Sequence, residues 1–193
     1  ENVKLYVRVR FTYLHSFQEQ QPDVICLQEA GPNKVSKFCQ QVGFSHYVSR
    51  HNCSIASGYP VAKVTDPKYS TKFRKQAFPW PRYVTGIVTI DDDTNVYVSS
   101  VHLNHRVEPW RDRELTQILE DHERSFDATN VPQLWAGDFN ALTESDYTPD
   151  EWKAIERQRK DNRWEAPRSD VTDRVRRHFS DAKQEFGYTG SLV

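Results

Sequence analysis

Val24-Ile25-Cys26-Leu27 is an unbroken apolar run of strand length. Successive side chains on a strand point to opposite faces, so this segment has no face to give to water. Both of its faces must be covered, which is the signature of a central strand in an α/β protein. The chain has 193 residues, enough for one domain with a substantial core.

The patterns on either side supply the layers. Val3, Leu5, Val7 and Val9 alternate with polar residues and read as a strand, and Phe11, Leu14 and Phe17 suggest a short helix stopped before Pro22. Gly31-Pro32 opens a helix whose apolar positions Val35, Phe38, Cys39 and Val42 fall on one face, and Gly43 ends it. Strand-like stretches follow at 44–49, 52–57 and 61–65, with Gly58-Tyr59-Pro60 as a turn. Residues 66–81 read as a loop, and 82–91 with 95–101 as a hairpin. A helix begins at Pro109, and Val131 to Ala136 is a further short buried strand. Thr148-Pro149-Asp150-Glu151 carries a cap, a proline at the first helical position and a glutamate placed to bond back. Val171, Val175 and Phe179 mark one more amphipathic helix. Hairpins among interleaved strands and helices predict mixed rather than purely parallel sheets. The chain reads as one domain over 1–193, with the polar stretch 143–170 as a helical insertion within it.

Composition narrows the partners. Lys and Arg total 26 against 27 Asp and Glu, a formal net charge of −1, so any polyanion must be held locally rather than by a global basic field. No apolar run reaches the length of a membrane span. The three cysteines, Cys26, Cys39 and Cys53, are too few for a disulfide framework and have no zinc-like spacing. With no basic-then-apolar leader at the start, they favour an intracellular, reducing compartment. Asn52-Cys53-Ser54 fits a glycosylation sequon but lies in a strand-like stretch.

Three segments place acidic or imidazole groups at the ends of strands, where a rigid sheet meets open loops. Glu29 follows the apolar run; it is either an ordinary surface glutamate or a ligand for a hard cation such as Mg²⁺, which takes one or two carboxylates and keeps its waters. His102 ends an alternating strand. It is either a partly buried histidine satisfied by the backbone, or a general acid/base or holder of a phosphoryl oxygen. Asp138 and Asn140 flank Phe139 after Gly137, so in an extended segment the two share a face. That pair suits water activation, the carboxylate taking the proton and the amide fixing the geometry, or else it is a Gly-Asp turn.

Taken in order, Leu27-Gln28-Glu29, Val101-His102-Leu103 and Gly137-Asp138-Phe139-Asn140 resemble the endonuclease/exonuclease/phosphatase superfamily, and their spacings suit it. Ser57-Gly58-Tyr59-Pro60 is similar to that family's Ser-x-Tyr-Pro turn. The resemblance covers roughly residues 3 to 190. It implies a DNase I-like, four-layer α/β sandwich of two mixed β-sheets flanked by helices, and metal-dependent hydrolysis of a phosphoester. By the same resemblance Glu29 would bind Mg²⁺ or Mn²⁺, Asp138 would orient or deprotonate the attacking water with Asn140 beside it, and His102 would hold a phosphate oxygen. The family also carries an Asn or Asp at the end of its first strand, where this chain has Val7-Arg8-Val9-Arg10, and a late Asp-His pair. The last strands and that pair are expected beyond Val193, and a polypeptide without them is expected to have lost most activity.

Substrate class is read from a different stretch. Lys63, Lys68, Lys72, Arg74, Lys75 and Arg82 stand against one acid, Asp66, and are interleaved with Tyr69, Phe73, Phe78, Trp80 and Tyr83. Cations alternating with aromatics match a phosphate backbone with stacked bases, and Lys72, Arg74, Lys75 and Trp80 are the candidate contacts. The same pattern also fits a solvated basic loop whose aromatics pack on the sandwich. Three functions remain open on these residues: a nuclease or related phosphodiesterase, a hydrolase of a phosphoinositide, sphingolipid or other small phosphoester, and a non-catalytic binding protein on the same scaffold.

Overall fold

The structure is a computed structural model, and it describes residues 5–7, 22–64, 82–126, 131–182 and 185. The chain divides into two compact units. The first comprises Glu1–Leu103 with Thr116–Asp138, the second Asn104–Leu115 with Phe139–Val193.

The first unit holds both sheets. One is ordered β1 (Leu5–Val7), β2 (Val24–Gln28), β4 (Cys53–Ser57) and β3 (His46–Arg50). β1 runs parallel to β2, while β4 pairs antiparallel with both β2 and β3. The other is ordered β5 (Val61–Lys63), β6 (Tyr83–Thr89), β7 (Asn95–His102) and β8 (Gln133–Asp138). It is antiparallel until its last pair, where β8 lies parallel to β7. Both sheets are therefore mixed, as the interleaved pattern predicts.

Strand alternation sorts β2 into two cores. Val24 and Cys26 face Val48, Cys53 and Ile55 of their own sheet and Val84, Val88, Val98 and Ala136 of the other, forming the layer between the sheets. Ile25 and Leu27 point the opposite way, onto Val35, Phe38 and Cys39 of α1 (Pro32–Val42). The requirement that both faces of the apolar run be covered is met by a sheet on one side and a helix on the other. α1 begins with Gly31 as cap and Pro32 inside, and ends at Gly43 in the left-handed conformation (φ 78°). On the second sheet's side, α2 (Glu108–Phe126) reaches Tyr83, whose hydroxyl donates to Asp121 Oδ2 at 3.0 Å.

The expected strand at 131–136 instead spans 133–138, so Gly137 and Asp138 lie within the ladder rather than after it. The reason is steric. Gly137 sits opposite Val101 at φ 146°, and a Cβ there would lie 2.0 Å from the Val101 carbonyl oxygen. Only glycine lets β8 continue along β7 at that approach. The suggested helix over residues 11–17 lies outside the described residues.

The second unit is organised by buried charge. Glu108 and Arg111 are 2% and 4% exposed. Arg111 Nε donates to Glu108 Oε2 at 2.8 Å, and Nη2 donates to Glu165 Oε2 at 2.5 Å. Glu165 also accepts the Glu108 backbone N–H at 2.7 Å, capping the start of α2, and Glu108 Oε1 accepts the N–H of Val171 at 3.1 Å. The capping box predicted at Thr148 is present and starts α3 (Pro149–Asp161), with α4 at Asp170–Arg176. Hydrogen bonds from Thr148 hold the Glu151 carboxyl below its usual range. Arg111→Ala would leave two glutamates facing each other without their cation. Urea unfolding followed by circular dichroism is expected to show a loss of about 3–5 kcal/mol, against about 1 kcal/mol or less for an exposed pair such as Lys153–Asp150.

Candidate functional site

The candidate residues of the first unit gather at one end of its two sheets. In the first sheet the register aligns Gln28 with Cys53 and Cys53 with Arg50. In the second it aligns Tyr83 with Val101 and Val101 with Gly137. Glu29, the β3–β4 turn at His51-Asn52, Arg82, His102 and Asp138 all fall at those strand ends.

Hydrogen bonds join the two ends. Ser100 Oγ, fully buried, donates to the Leu27 carbonyl at 3.2 Å and accepts from Gln28 Nε2 at 3.1 Å. It ties the residues just before Glu29 to the strand that ends in His102.

Glu29 is exposed and stands in the left-handed region at φ 57°. That conformation is uncommon for a residue with a Cβ and persists only where the surroundings hold it. Here Ala30 N–H donates to Asn52 O at 3.2 Å, Ser54 Oγ donates to Ala30 O at 2.6 Å, and Lys34 Nζ donates to Glu29 O at 3.0 Å. The turn throws the carboxylate off the strand axis while the next residue stays anchored.

His102 and Asp138 are register partners on parallel strands. The His102 backbone N–H donates to Arg82 O at 2.8 Å, and Leu103 N–H donates to Asp138 O at 2.9 Å, so both residues are pinned through the main chain. His102 is 8% exposed and Asp138 half-buried. Asn140 has φ 49°, so the segment is no longer extended at that residue.

Sequence reasoning gave Asn52 no role at this site. Asn52 Nδ2 lies 3.0 Å from His102 Nδ1, and Asn52 O is the acceptor that anchors Ala30. No spacing announces it, because the two side chains come from different sheets. Beside it are Cys53, whose thiol burial pushes up to about 12, and Arg50, whose guanidinium lies 5.8 Å from the centre of the Tyr83 ring. All three cysteines are free and buried. Lys72, Arg74, Lys75 and Trp80 lie outside the described residues. Among the described residues no three His, Cys, Asp or Glu side chains gather as a ligand set, and no helix is long and apolar enough to cross a membrane.

The sequence model of the Endonuclease/Exonuclease/phosphatase family matches residues 12–181. No curated protein matches the chain. Among solved structures, a functionally unknown conserved protein from Enterococcus faecalis V583 is similar at 21% identity and a TM-score of 0.53, covering 72% of this chain and 66% of its own. An endonuclease/exonuclease/phosphatase family protein from Bacteroides thetaiotaomicron is similar at 14% identity and a TM-score of 0.52, covering 67% and 54%. The likenesses show the DNase I-like α/β fold. The chain spans between about half and two thirds of the length of these two proteins.

The backbone at Glu29 generates a test of its own. Glycine relieves the left-handed conformation and alanine does not, so Glu29→Gly is expected to be more stable than Glu29→Ala by about 1 kcal/mol in denaturant unfolding. At an ordinary strand end the order would reverse.

Proposed function

The chain belongs to the Endonuclease/Exonuclease/phosphatase family, and on that premise we propose that it acts as a divalent-metal-dependent phosphoester hydrolase, a nuclease or related phosphodiesterase. The observation that carries the reading is His102 facing Asp138 across the last rung of β7 and β8, at the same sheet end as Glu29.

Mg²⁺ or Mn²⁺ fits the donor set. Such ions bind through one or two carboxylates and retain water, and Glu29 offers an exposed hard oxygen at the strand mouth. The buried thiols, held protonated, offer nothing to a hard cation. When bound, the ion supplies Lewis-acid polarisation of the phosphoryl oxygens and stabilisation of the leaving oxygen.

The side chains do the rest. Asp138 orients the attacking water and takes its proton, and Asn140 assists in that placement. His102 donates to a phosphoryl oxygen that gains charge in the transition state. The main-chain bonds to Arg82 and from Leu103 pin the backbone from which both side chains project, and positioning of this kind favours an in-line displacement. Lys72, Arg74, Lys75 and Trp80 would bind a nucleic-acid strand through phosphate contacts and stacking.

A panel of single-stranded DNA, RNA, a phosphoinositide, a sphingolipid phosphodiester and an aryl phosphodiester tests this with and without chelator. Cleavage is expected only with Mg²⁺ or Mn²⁺, lost in Glu29→Gln and reduced about 100-fold or more in Asp138→Asn. Turnover confined to the lipid or aryl substrates would move the assignment to a small phosphoester, and divalent-ion binding with no turnover would make the chain a binding module.

Nucleic-acid binding has a separate readout. Reversing the charge at Lys72, Arg74 and Lys75 is expected to flatten the slope of log Kd against log salt by about 0.7 per lost contact on a single strand. An unchanged slope would remove these residues from the interface.

A further inference from the structure

The amide of Asn52 has two different ends, and the surroundings distinguish them. Cys53 Sγ lies 3.8 Å from Asn52 Oδ1 and 3.6 Å from Arg82 O. Burial keeps that thiol protonated, so it has a proton to give and the amide oxygen is one of its two acceptors. The other end, the NH₂ group, faces His102 Nδ1 at 3.0 Å. An amide nitrogen only donates, so Nδ1 must accept, and the proton of the neutral ring must sit on Nε2.

We infer that Asn52 is a positioning residue: it fixes His102 as the Nε2–H tautomer, so that His102 serves the reaction as a hydrogen-bond donor and not as a proton acceptor. The consequence for the reaction rests on the function proposed above. The tautomer itself does not.

The placement of Asn52 fits the task. It sits in the β3–β4 turn next to His51, which is itself left-handed at φ 52°. Its carbonyl holds Ala30, and its side chain holds His102. One residue thus sets the residue after Glu29 through the backbone and the imidazole through the amide. His102 has little freedom of its own, because its N–H is bonded to Arg82 O and its strand is paired on both sides. The hydrogen bond that Nδ1 accepts from the amide favours the proton on Nε2.

The choice also separates two roles that the sequence leaves open for His102. A ring protonated on Nε2 can donate to a phosphoryl oxygen. A ring protonated on Nδ1 presents a lone pair at Nε2 and would accept a proton from water. A carboxylate at position 52 would select the second form, since it can only accept. Asn52→Asp keeps the size and shape of the side chain and reverses the direction of the hydrogen bond.

Two-bond ¹H–¹⁵N spectra of the imidazoles read the tautomer directly. The chain has seven histidines, and loss of a signal in His102→Gln assigns the relevant ring. The wild-type protein is expected to show His102 protonated on Nε2, and Asn52→Asp to show it protonated on Nδ1. In the same variant kcat is expected to fall by about 100-fold or more, the range for loss of one transition-state donor, with KM changing far less. An Nδ1–H ring in the wild-type protein would overturn the inference before any variant is made. An Asn52→Asp protein that folds yet keeps the Nε2–H ring would overturn it as well. If the wild-type protein shows the Nε2–H ring but hydrolyses no phosphoester, the assignment of Asn52 stands and the proposed function falls.

Discussion

The geometry of the candidate site depends on the buried hydroxyl of Ser100. A hydroxyl taken out of water must find partners or it destabilises the fold by a kilocalorie or more. Ser100 finds them in the facing sheet, at the Leu27 carbonyl and the Gln28 amide. The apolar layer between the sheets holds them together but is non-directional, and by itself allows a sliding of one sheet over the other. The Ser100 bonds remove that freedom at the end where it matters. Glu29 is the next residue after Gln28, and His102 is two residues beyond Ser100. The separation of those two groups is therefore set by a short hydrogen-bonded path rather than by packing alone.

Backbone strain is found at the same end. Glu29 and His51 have positive φ without being glycine, and Gly137 has a φ of 146° against the backbone of Val101. Each conformation costs free energy that neighbouring bonds must offset. At Glu29 those bonds are visible one by one: Asn52 O, Ser54 Oγ and Lys34 Nζ hold the segment on either side of the peptide. A strand end with no task beyond turning would use glycine at such a position. A glutamate there is consistent with a requirement for its carboxylate.

Much of the scaffold was legible in the sequence because its signals are local. The four apolar residues of β2, the Gly31-Pro32 start and Gly43 stop of α1, and the Thr148 capping box each rest on residues within a turn or two of one another. Glu29, His102 and Asp138 were legible as strand-end groups for the same reason. What was hidden is what depends on distant partners. Gly137 reads as a turn residue until Val101 is placed against it, and only then does the strand extend to Asp138. Glu165 reads as one more charge in a polar stretch until it meets the buried Arg111. Asn52 reads as a sequon in an unlikely place, and nothing near it in the chain points to His102, fifty positions away.

The use of an amide at position 52 bears on charge as well as on the proton. A phosphodiester brings its own negative charge to a site that already carries Glu29 and Asp138. A carboxylate against His102 would add a third anion and would draw the ring proton to Nδ1, away from the face that meets the phosphoryl group. An amide orients the ring without adding charge. The Cys53 thiol on its other side is likewise kept neutral by burial. The Asn52 amide that meets the imidazole is thus neutral. Among the described residues, the charged groups at this end of the sheets include the carboxylates of Glu29 and Asp138, the Lys34 ammonium and the guanidinium groups of Arg50 and Arg82. Such a division leaves the field that a phosphoryl group meets to the groups that would act on it.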